Sequence, residues 1–421
     1  MSFESFNLDP RLMAGIARAG FNTPTAIQAQ TIPDALSGRD IMGLAQTGTG
    51  KTAAFVLPML QRLLKGQRGK VRALIITPTR ELAEQTQSDI RALGGKTRLR
   101  SMTIYGGVSM AGQLQKLRSG VEIIVACPGR LLDHIRQGTV ELSSVEVLVL
   151  DEADRMLDMG FLPDVRKILK HVPVKRQTLL FSATMPDDIR RLTREIMRNP
   201  AVAQIDHSRP AKTLSHALYP VEPHLKTPLL ISLLRSTETG SVLVFTRTRI
   251  RTQRIADQLK RAGFSVASLQ GSMPQNKRQA ALKGFREGTY RILVATDIAA
   301  RGMDIMGISH VINYDMPDTP DAYTHRVGRT GRAERTGTAF TLVTQDDAPT
   351  VQAFERLMDV ELVCRELEDF DYTVPAPPRG SGLHRQGTGK GLRQPRGIPN
   401  AARVRNNGRA GAQRRRQGTP A

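Results

Sequence analysis

The chain has 421 residues with a formal net charge of +22, two cysteines and no tryptophan. Cys127 and Cys364 exclude a framework of several disulfides and give no paired metal-ligand spacing, so a reducing, cytoplasmic setting is expected. The acidic opening MSFESFNLDP carries no apolar signal-peptide core, and no run of ~18 apolar residues is present to span a membrane.

Length alone would allow about three domains at ~150 residues each. The pattern along the chain suggests two, with a tail. From Asp40 onward short apolar runs alternate with segments of helical spacing. The runs are DIMGLA, ALIITP, SMTIYG, EIIVAC, VEVLVLD and TLLFSAT. Near-continuous apolar strands separated by helices predict a parallel sheet covered on both faces. The alternation pauses in the polar stretch QIDHSRPAKT, which is expected to be an interdomain linker over 206–215. It resumes with SVLVFTRT, SVASLQG, YRILVATD and HVINYDMP, which predict a second α/β domain over 216–371. The halves share a class but no repeat by residue identity. Residues 372–421 are rich in Pro, Gly, Gln, Asn and Arg, carry 11 of the positive charges with no Asp or Glu, and have no aromatic residue beyond Tyr372. Such a segment buries too little apolar surface to offset chain entropy, and a disordered basic arm is expected. The remaining +11 is spread over the folded part. A basic excess of this size points to a polyanion, because neutralised phosphates release counterions.

The stretch DIMGLAQTGTGKT, Asp40 to Thr52, reads as a strand, a Gly-rich turn and a helix start. It departs from the strict phosphate-loop pattern in having Ala45 first; Gln46, Thr47, Gly48 and Thr49 follow, then Gly50-Lys51-Thr52. Such a turn aims backbone N–H groups and a helix N-terminus at phosphate. Lys51 would reach the β- and γ-phosphates, and Thr52 would hold Mg²⁺ through its hydroxyl. Downstream, VEVLVLDEAD brings Asp151 and Glu152 to the C-terminal end of an apolar strand, where open α/β sheets bind ligands. Asp151 is assigned to Mg²⁺ and Glu152, also beside the metal, to the attacking water as general base. In HRVGRTGR, Arg326, Arg329 and Arg332 recur every three residues. Spacing leaves two readings open: cations stabilising the transferred phosphoryl group, or a basic loop on RNA phosphates.

Taken in order, GFNTPTAIQ, AQTGTGKT, PTRELA, CPGR, DEAD, SAT, ATDIAARGMD and HRVGRTGR resemble the motif set of the DEAD-box ATP-dependent RNA helicases, over about Ser2 to Tyr372. The short lead (1–31, the Q-motif segment) and the basic tail are most similar to the bacterial RhlE-like branch. The resemblance implies two RecA-like domains in tandem, with the ATP-binding one over 32–205. It also implies that Gln28 reads the adenine edge, with Phe3 stacking on the ring, and Phe21 is counted among the nucleotide-binding residues; by its residue type alone Phe3 reads as core. Asp304 would contact ribose. Asp154, Ser182, Ala183, Thr184, Arg301, His325 and Arg326 would couple ATP state to domain closure. RNA would be contacted by Pro78, Thr79, Arg80, Gly106, Gly107, Pro128, Gly129 and Arg130, and in the second domain by Gly271, Thr296 and Asp297. Backbone-reaching contacts of this kind carry little base information. The departures are PTAIQ for PTPIQ, CPGR for TPGR, LQGS for LHG and Met303 for Leu. Cys127 removes a hydroxyl that could meet a phosphate.

The expected activity is RNA-stimulated ATP hydrolysis, with ATP and Mg²⁺ as cofactors, coupled to local, non-processive unwinding of RNA. Ribosomal precursor particles and RNA-decay proteins are the candidate partners. Two rivals are an ATP-gated RNA clamp or assembly factor with little unwinding, and a DNA translocase on the same architecture.

Overall fold

A computed structural model describes residues 2–45, 48–205, 214–237, 240–271, 273–300, 308–330, 337–358 and 362–376. Gln46, Thr47, linker residues 206–213, Arg301, Met303, Asp304, Arg332 and the tail from 377 lie outside them.

The first sheet holds β1 (Ile41–Leu44), β2 (Ala73–Ile76), β3 (Ser101–Ile104), β4 (Ile123–Ala126), β5 (Val147–Leu150), β6 (Gln177–Ser182) and β7 (Ala201–Gln204). The second holds β8 (Leu214–Pro220), β9 (Ser241–Phe245), β10 (Val266–Leu269), β11 (Ile292–Ala295), β12 (Ile308–Asn313), β13 (Gly337–Val343) and β14 (Val363–Cys364). The orders are β3-β4-β2-β5-β6-β1-β7 and β10-β11-β9-β12-β13-β8-β14, with parallel pairing throughout. These are tandem RecA-like α/β lobes, called lobe 1 and lobe 2 below.

The strands are apolar along their whole length because both faces are covered. In β2, Ala73 and Ile75 enter one core while Leu74 and Ile76 enter the other. Strand β9 repeats this with Val242 and Val244 on one side and Leu243 and Phe245 on the other. The period of two thus feeds two helix layers per sheet.

Two boundaries differ from expectation. Strand β8 begins at Leu214, inside the expected linker, because its backbone pairs with β13 and β14 on either side. The compact unit that holds both sheets runs to Val374, past the expected tail start at 372. Tyr372 is held by an edge-on ring contact with Phe370, centroids 4.8 Å apart, and its hydroxyl accepts the Leu367 amide at 3.0 Å. His224 Nε2 bonds the Val374 carbonyl at 2.7 Å.

Candidate active site and nucleic-acid interface

The turn after β1 is built on left-handed glycines. Gly48 has φ 89° and Gly50 φ 91°, and the helix Lys51–Leu63 follows. A Cβ on Gly50 would lie 2.5 Å from Gln28 Nε2 and 2.9 Å from Thr25 Oγ1, so only glycine fits. Gln28 explains the crowding. Its Oε1 accepts the Thr25 amide at 3.0 Å, which closes a capping box on its own helix, and its Nε2 donates to the Gly50 carbonyl at 3.0 Å. One N–H and one lone pair remain on that amide, the donor–acceptor pair an adenine edge needs. Lys51 is buried, and its Nζ donates to the Ala45 carbonyl at 2.8 Å.

Phe3 is only 2 % exposed and lies in the core, whereas Phe21 is 40 % exposed. The rings stack on each other, centroids 6.3 Å apart and 21° between planes. Phe3 thus packs in the core behind Phe21, and Phe21 presents the accessible ring.

Strand β5 carries Asp151 and Glu152 to its C-terminal end, both buried. Asp151 Oδ1 and Glu152 Oε1 have no protein hydrogen-bond partner. Burial pushes the Asp151 carboxyl up, the Lys51 ammonium opposes this, and the Glu152 charge adds to it. Glu152 sits at φ 54°, ψ 54°, a left-handed conformation that costs a non-glycine residue of order 1–3 kcal/mol. Arg155 Nη1 donates to Glu152 Oε2 at 2.5 Å, which leaves Oε1 as the unpartnered oxygen. Two orphaned carboxylate oxygens beside a lysine suit a hard divalent cation that keeps most of its own waters. Among the described residues no three His, Cys, Asp or Glu side chains gather to cage a metal unaided.

Asp154 links this strand end to the next. Its Oδ2 accepts the amides of Ala183 and Thr184, each at 3.0 Å, and its own amide donates to Ser182 Oγ at 3.2 Å. Ser182 Oγ in turn donates to the Thr184 carbonyl at 2.7 Å.

Across the lobes, Arg155 shares a small cavity with Phe245, Asp297, His325, Arg326 and Arg329. Arg326 is buried under the Phe245 ring, 5.1 Å from its centroid, and grips Asp297 with two hydrogen bonds of 2.6 Å. Its Nη1 also donates to Asn313 Oδ1 at 3.1 Å and to the Asp315 carbonyl at 2.7 Å. The Asp297 carboxylate is thus committed inside lobe 2, and its backbone is what a ligand could meet. Arg329 is 4 % exposed at the same cavity.

A second cluster lies on lobe 1. Thr79 caps the helix Arg80–Gly94, accepting the Leu82 amide at 3.3 Å, and Pro78 precedes it, buried. The Arg80 guanidinium packs so closely on Gly107 (φ 79°) that a Cβ there would lie 2.2 Å from its Nη1. Arg130 also approaches Gly106, as Arg80 does, and donates to the Val108 carbonyl at 3.1 Å. Pro128 and Gly129 open the helix that carries Arg130. Cys127 caps it without a side-chain hydrogen bond, and burial pushes its thiol up to about 12, so it offers neither hydroxyl nor thiolate. On lobe 2, Gly271 is exposed and Thr296 is 8 % exposed, next to Asp297.

The description "DEAD/DEAH box helicase" matches residues 25–192, and "Helicase conserved C-terminal domain" matches 225–334. The chain is 43 % identical over 357 residues to the DEAD-box ATP-dependent RNA helicase CshA of Geobacillus kaustophilus, covering 84 % of this chain and 76 % of that one. This chain belongs to the DEAD-box ATP-dependent RNA helicase family. It is also 45 % identical over 385 residues to the ATP-dependent RNA helicase RhlB of Pseudomonas aeruginosa, covering 89 % and 97 % of the two chains. Among solved structures it is similar to S. cerevisiae Dbp5 bound to RNA and ADP BeF3. There the TM-score is 0.78 at 30 % identity, over 86 % of this chain and 95 % of that one.

Two features of this helicase were absent from the sequence-based site. Arg155 follows the DEAD tetrad and joins Glu152 to the lobe 2 cavity. Arg278 reaches across the lobes to Glu81 of PTRELA, with Nε–Oε1 at 2.9 Å and Nη2–Oε1 at 2.8 Å. Both side chains of that pair are nearly buried. Glu81 was within a quoted motif, but nothing local tied it to an arginine 197 residues away.

Proposed function

We propose that this helicase hydrolyses ATP in response to RNA and uses the cycle for local, non-processive strand separation. The observation that carries the reading is the pair of buried, unpartnered oxygens, Asp151 Oδ1 and Glu152 Oε1, at the strand end next to Lys51. Thr52, Asp151 and Glu152 are the residues that would hold Mg²⁺, which neutralises developing phosphate charge when bound. Lys51 leaves the Ala45 carbonyl for the β- and γ-phosphates. Glu152 takes the proton of the attacking water, its other oxygen fixed by Arg155. Arg329 and Arg332 supply positive charge from lobe 2, so hydrolysis needs both lobes. Asp154 passes the state of the DEAD strand to Ser182-Ala183-Thr184, while His325, Arg326 and Arg301 act on the lobe 2 side. Phe21 and Gln28 take the adenine, and Asp304 the ribose.

RNA lies on Arg80, Gly106, Gly107 and Arg130 of lobe 1 and on Gly271, Thr296 and the Asp297 backbone of lobe 2. Placement in an RhlE-like branch rests on the short lead and basic tail; the curated relatives named above are a CshA and an RhlB. The cytoplasmic setting rests on cysteine usage, and partners in ribosome assembly or RNA decay on the family reading alone.

Steady-state ATPase with no nucleic acid, with RNA and with single-stranded DNA tests this. Stimulation by RNA only is the expected result. Equal rates in all three would remove the coupling to RNA and leave a nucleotide-binding clamp.

A further inference from the structure

Lobe 2 repeats lobe 1 strand for strand: adding seven to each strand number in the first sheet gives the order of the second. The phosphate-loop position is therefore present twice. Strand β1 leads into a helix that starts Lys51-Thr52, and β8 leads into one that starts Lys226-Thr227. Lys226 is 7 % exposed, and its Nζ donates to the Tyr314 and Leu342 carbonyls at 3.2 and 3.1 Å, as Lys51 does to Ala45. Beyond β12, where lobe 1 has Asp151 beyond β5, stands buried Asp315.

The glycines have gone. The turn reads VEPHL over 221–225, and Pro223 and Pro228 remove two of the backbone N–H groups that a phosphate nest would draw on. Guanidinium groups stand there instead. A cavity of about 880 Å³ opens in front of Lys226, lined by Arg251, Arg254, Gln258 and Arg261 from one face of the helix Arg249–Arg261. Arg251 bonds Asp315 at 2.5 Å. The side chains of Arg254 and Arg261 make no hydrogen bond or ion pair among the described residues. Gln258 Oε1 is buried without a partner. Ile231 and Ile255 supply an apolar wall.

We propose that this cavity is a second ligand site, taking a phosphorylated small molecule of nucleotide size with its phosphates on Arg254 and Arg261 and its apolar part against Ile231 and Ile255. The volume falls in the range of small-molecule sites, ~300–1,000 Å³. A long polyphosphate strand fits less well, because Asp346 and Asp347 also line the cavity, with Asp347 Oδ2 3.8 Å from Lys226 Nζ. The site has a route to the interlobe cavity: Asp315 takes Arg251 on its carboxylate and Arg326 on its carbonyl. A ligand that draws Arg251 away acts on the residue that holds Asp297.

The test is calorimetric titration of the full chain with ADP and, separately, with inorganic tripolyphosphate. Wild type should bind two equivalents of ADP, and Lys51→Ala should keep one. Adding Arg254→Ala and Arg261→Ala, both surface changes, should weaken that remaining site about 10- to 100-fold. Retention of tripolyphosphate by the Lys51→Ala chain assigns recognition to phosphate alone; retention of ADP only adds the nucleoside. A single equivalent in wild type, lost in Lys51→Ala, overturns the proposal. So does a second equivalent that disappears on removal of residues 377–421, since the basic arm would then be the binder. Binding of a ten-nucleotide RNA, but of neither probe, to the Arg stripe of the Lys51→Ala chain would also overturn it and make the stripe an RNA path.

Discussion

Glu152 is held in a backbone conformation that its side chain does not favour, with one carboxylate oxygen on Arg155 and the other unpartnered. That geometry fits a group that must accept a proton without moving. Glu152→Gln keeps the shape and the Arg155 contact while removing the basic oxygen. Turnover should fall about 10²–10⁴-fold, the usual worth of a general base. ATP and RNA binding, followed by fluorescence anisotropy with a non-hydrolysable analogue, should persist; near-normal turnover would remove the assignment. The two phenylalanines give a second residue-scale prediction. Phe3→Ala empties a core position and should cost about 3–5 kcal/mol in chemical denaturation of lobe 1. Phe21→Ala should leave the denaturation midpoint almost unchanged and raise KM for ATP about 2- to 10-fold, the worth of one aromatic stack. Equal effects of the two changes on stability would reject the backing-ring reading. Local spacing alone picked out the phosphate loop and the DEAD carboxylates, whereas Gln28 was legible only through the family resemblance. It could not rank Phe3 against Phe21, since exposure depends on which ring the rest of the lobe covers.

At the level of elements, most strands were readable because each is a short apolar run closed by a turn or a charge. The edge strand β7 (AVAQ) is too short and too polar on one side to announce itself, with Val202 56 % exposed. Strand β13 (GTAFTLV) is broken by threonines, one of which, Thr341, accepts a hydrogen bond from Asn313 inside the sheet. The duplication of strand order was invisible for a different reason: topology is kept by hydrophobic pattern, and pattern tolerates nearly complete change of residues. The Glu81–Arg278 pair is an element-level device as well. Arg278 is already held by the Gln270 carbonyl at 2.9 Å within lobe 2, so Glu81 is the arriving group. Glu81→Gln should leave each lobe's unfolding unchanged and raise the RNA concentration for half-maximal ATPase about tenfold or more. Arg278→Gln in the same chain should add little further, because the partners report one interaction. Additive losses would mean that the pair does not act together in closure.

For the whole molecule, charge is divided between a folded body and an arm that carries 11 of the 22 net positive charges. The arm's composition was readable as a polyanion binder; its first residues were not, because Phe370 and Tyr372 dock on lobe 2 and His224 holds Val374. Removal of residues 377–421 should leave basal ATPase intact, weaken RNA binding and flatten its salt dependence. About 0.7 counterions per lost single-strand phosphate contact set the change in slope. An unchanged slope would exclude the arm from the RNA site.

The near-buried ion pair that joins the lobes also gives the molecule a thermal character. Stripping water from a carboxylate and a guanidinium becomes less costly as temperature rises, because the hydration of charge loses ground entropically. A lobe contact built on Glu81 and Arg278 is therefore harder to form in the cold than at higher temperature. On cooling, a larger share of the free energy for closure has to come from the nucleotide and the RNA, just as RNA duplexes themselves become harder to open.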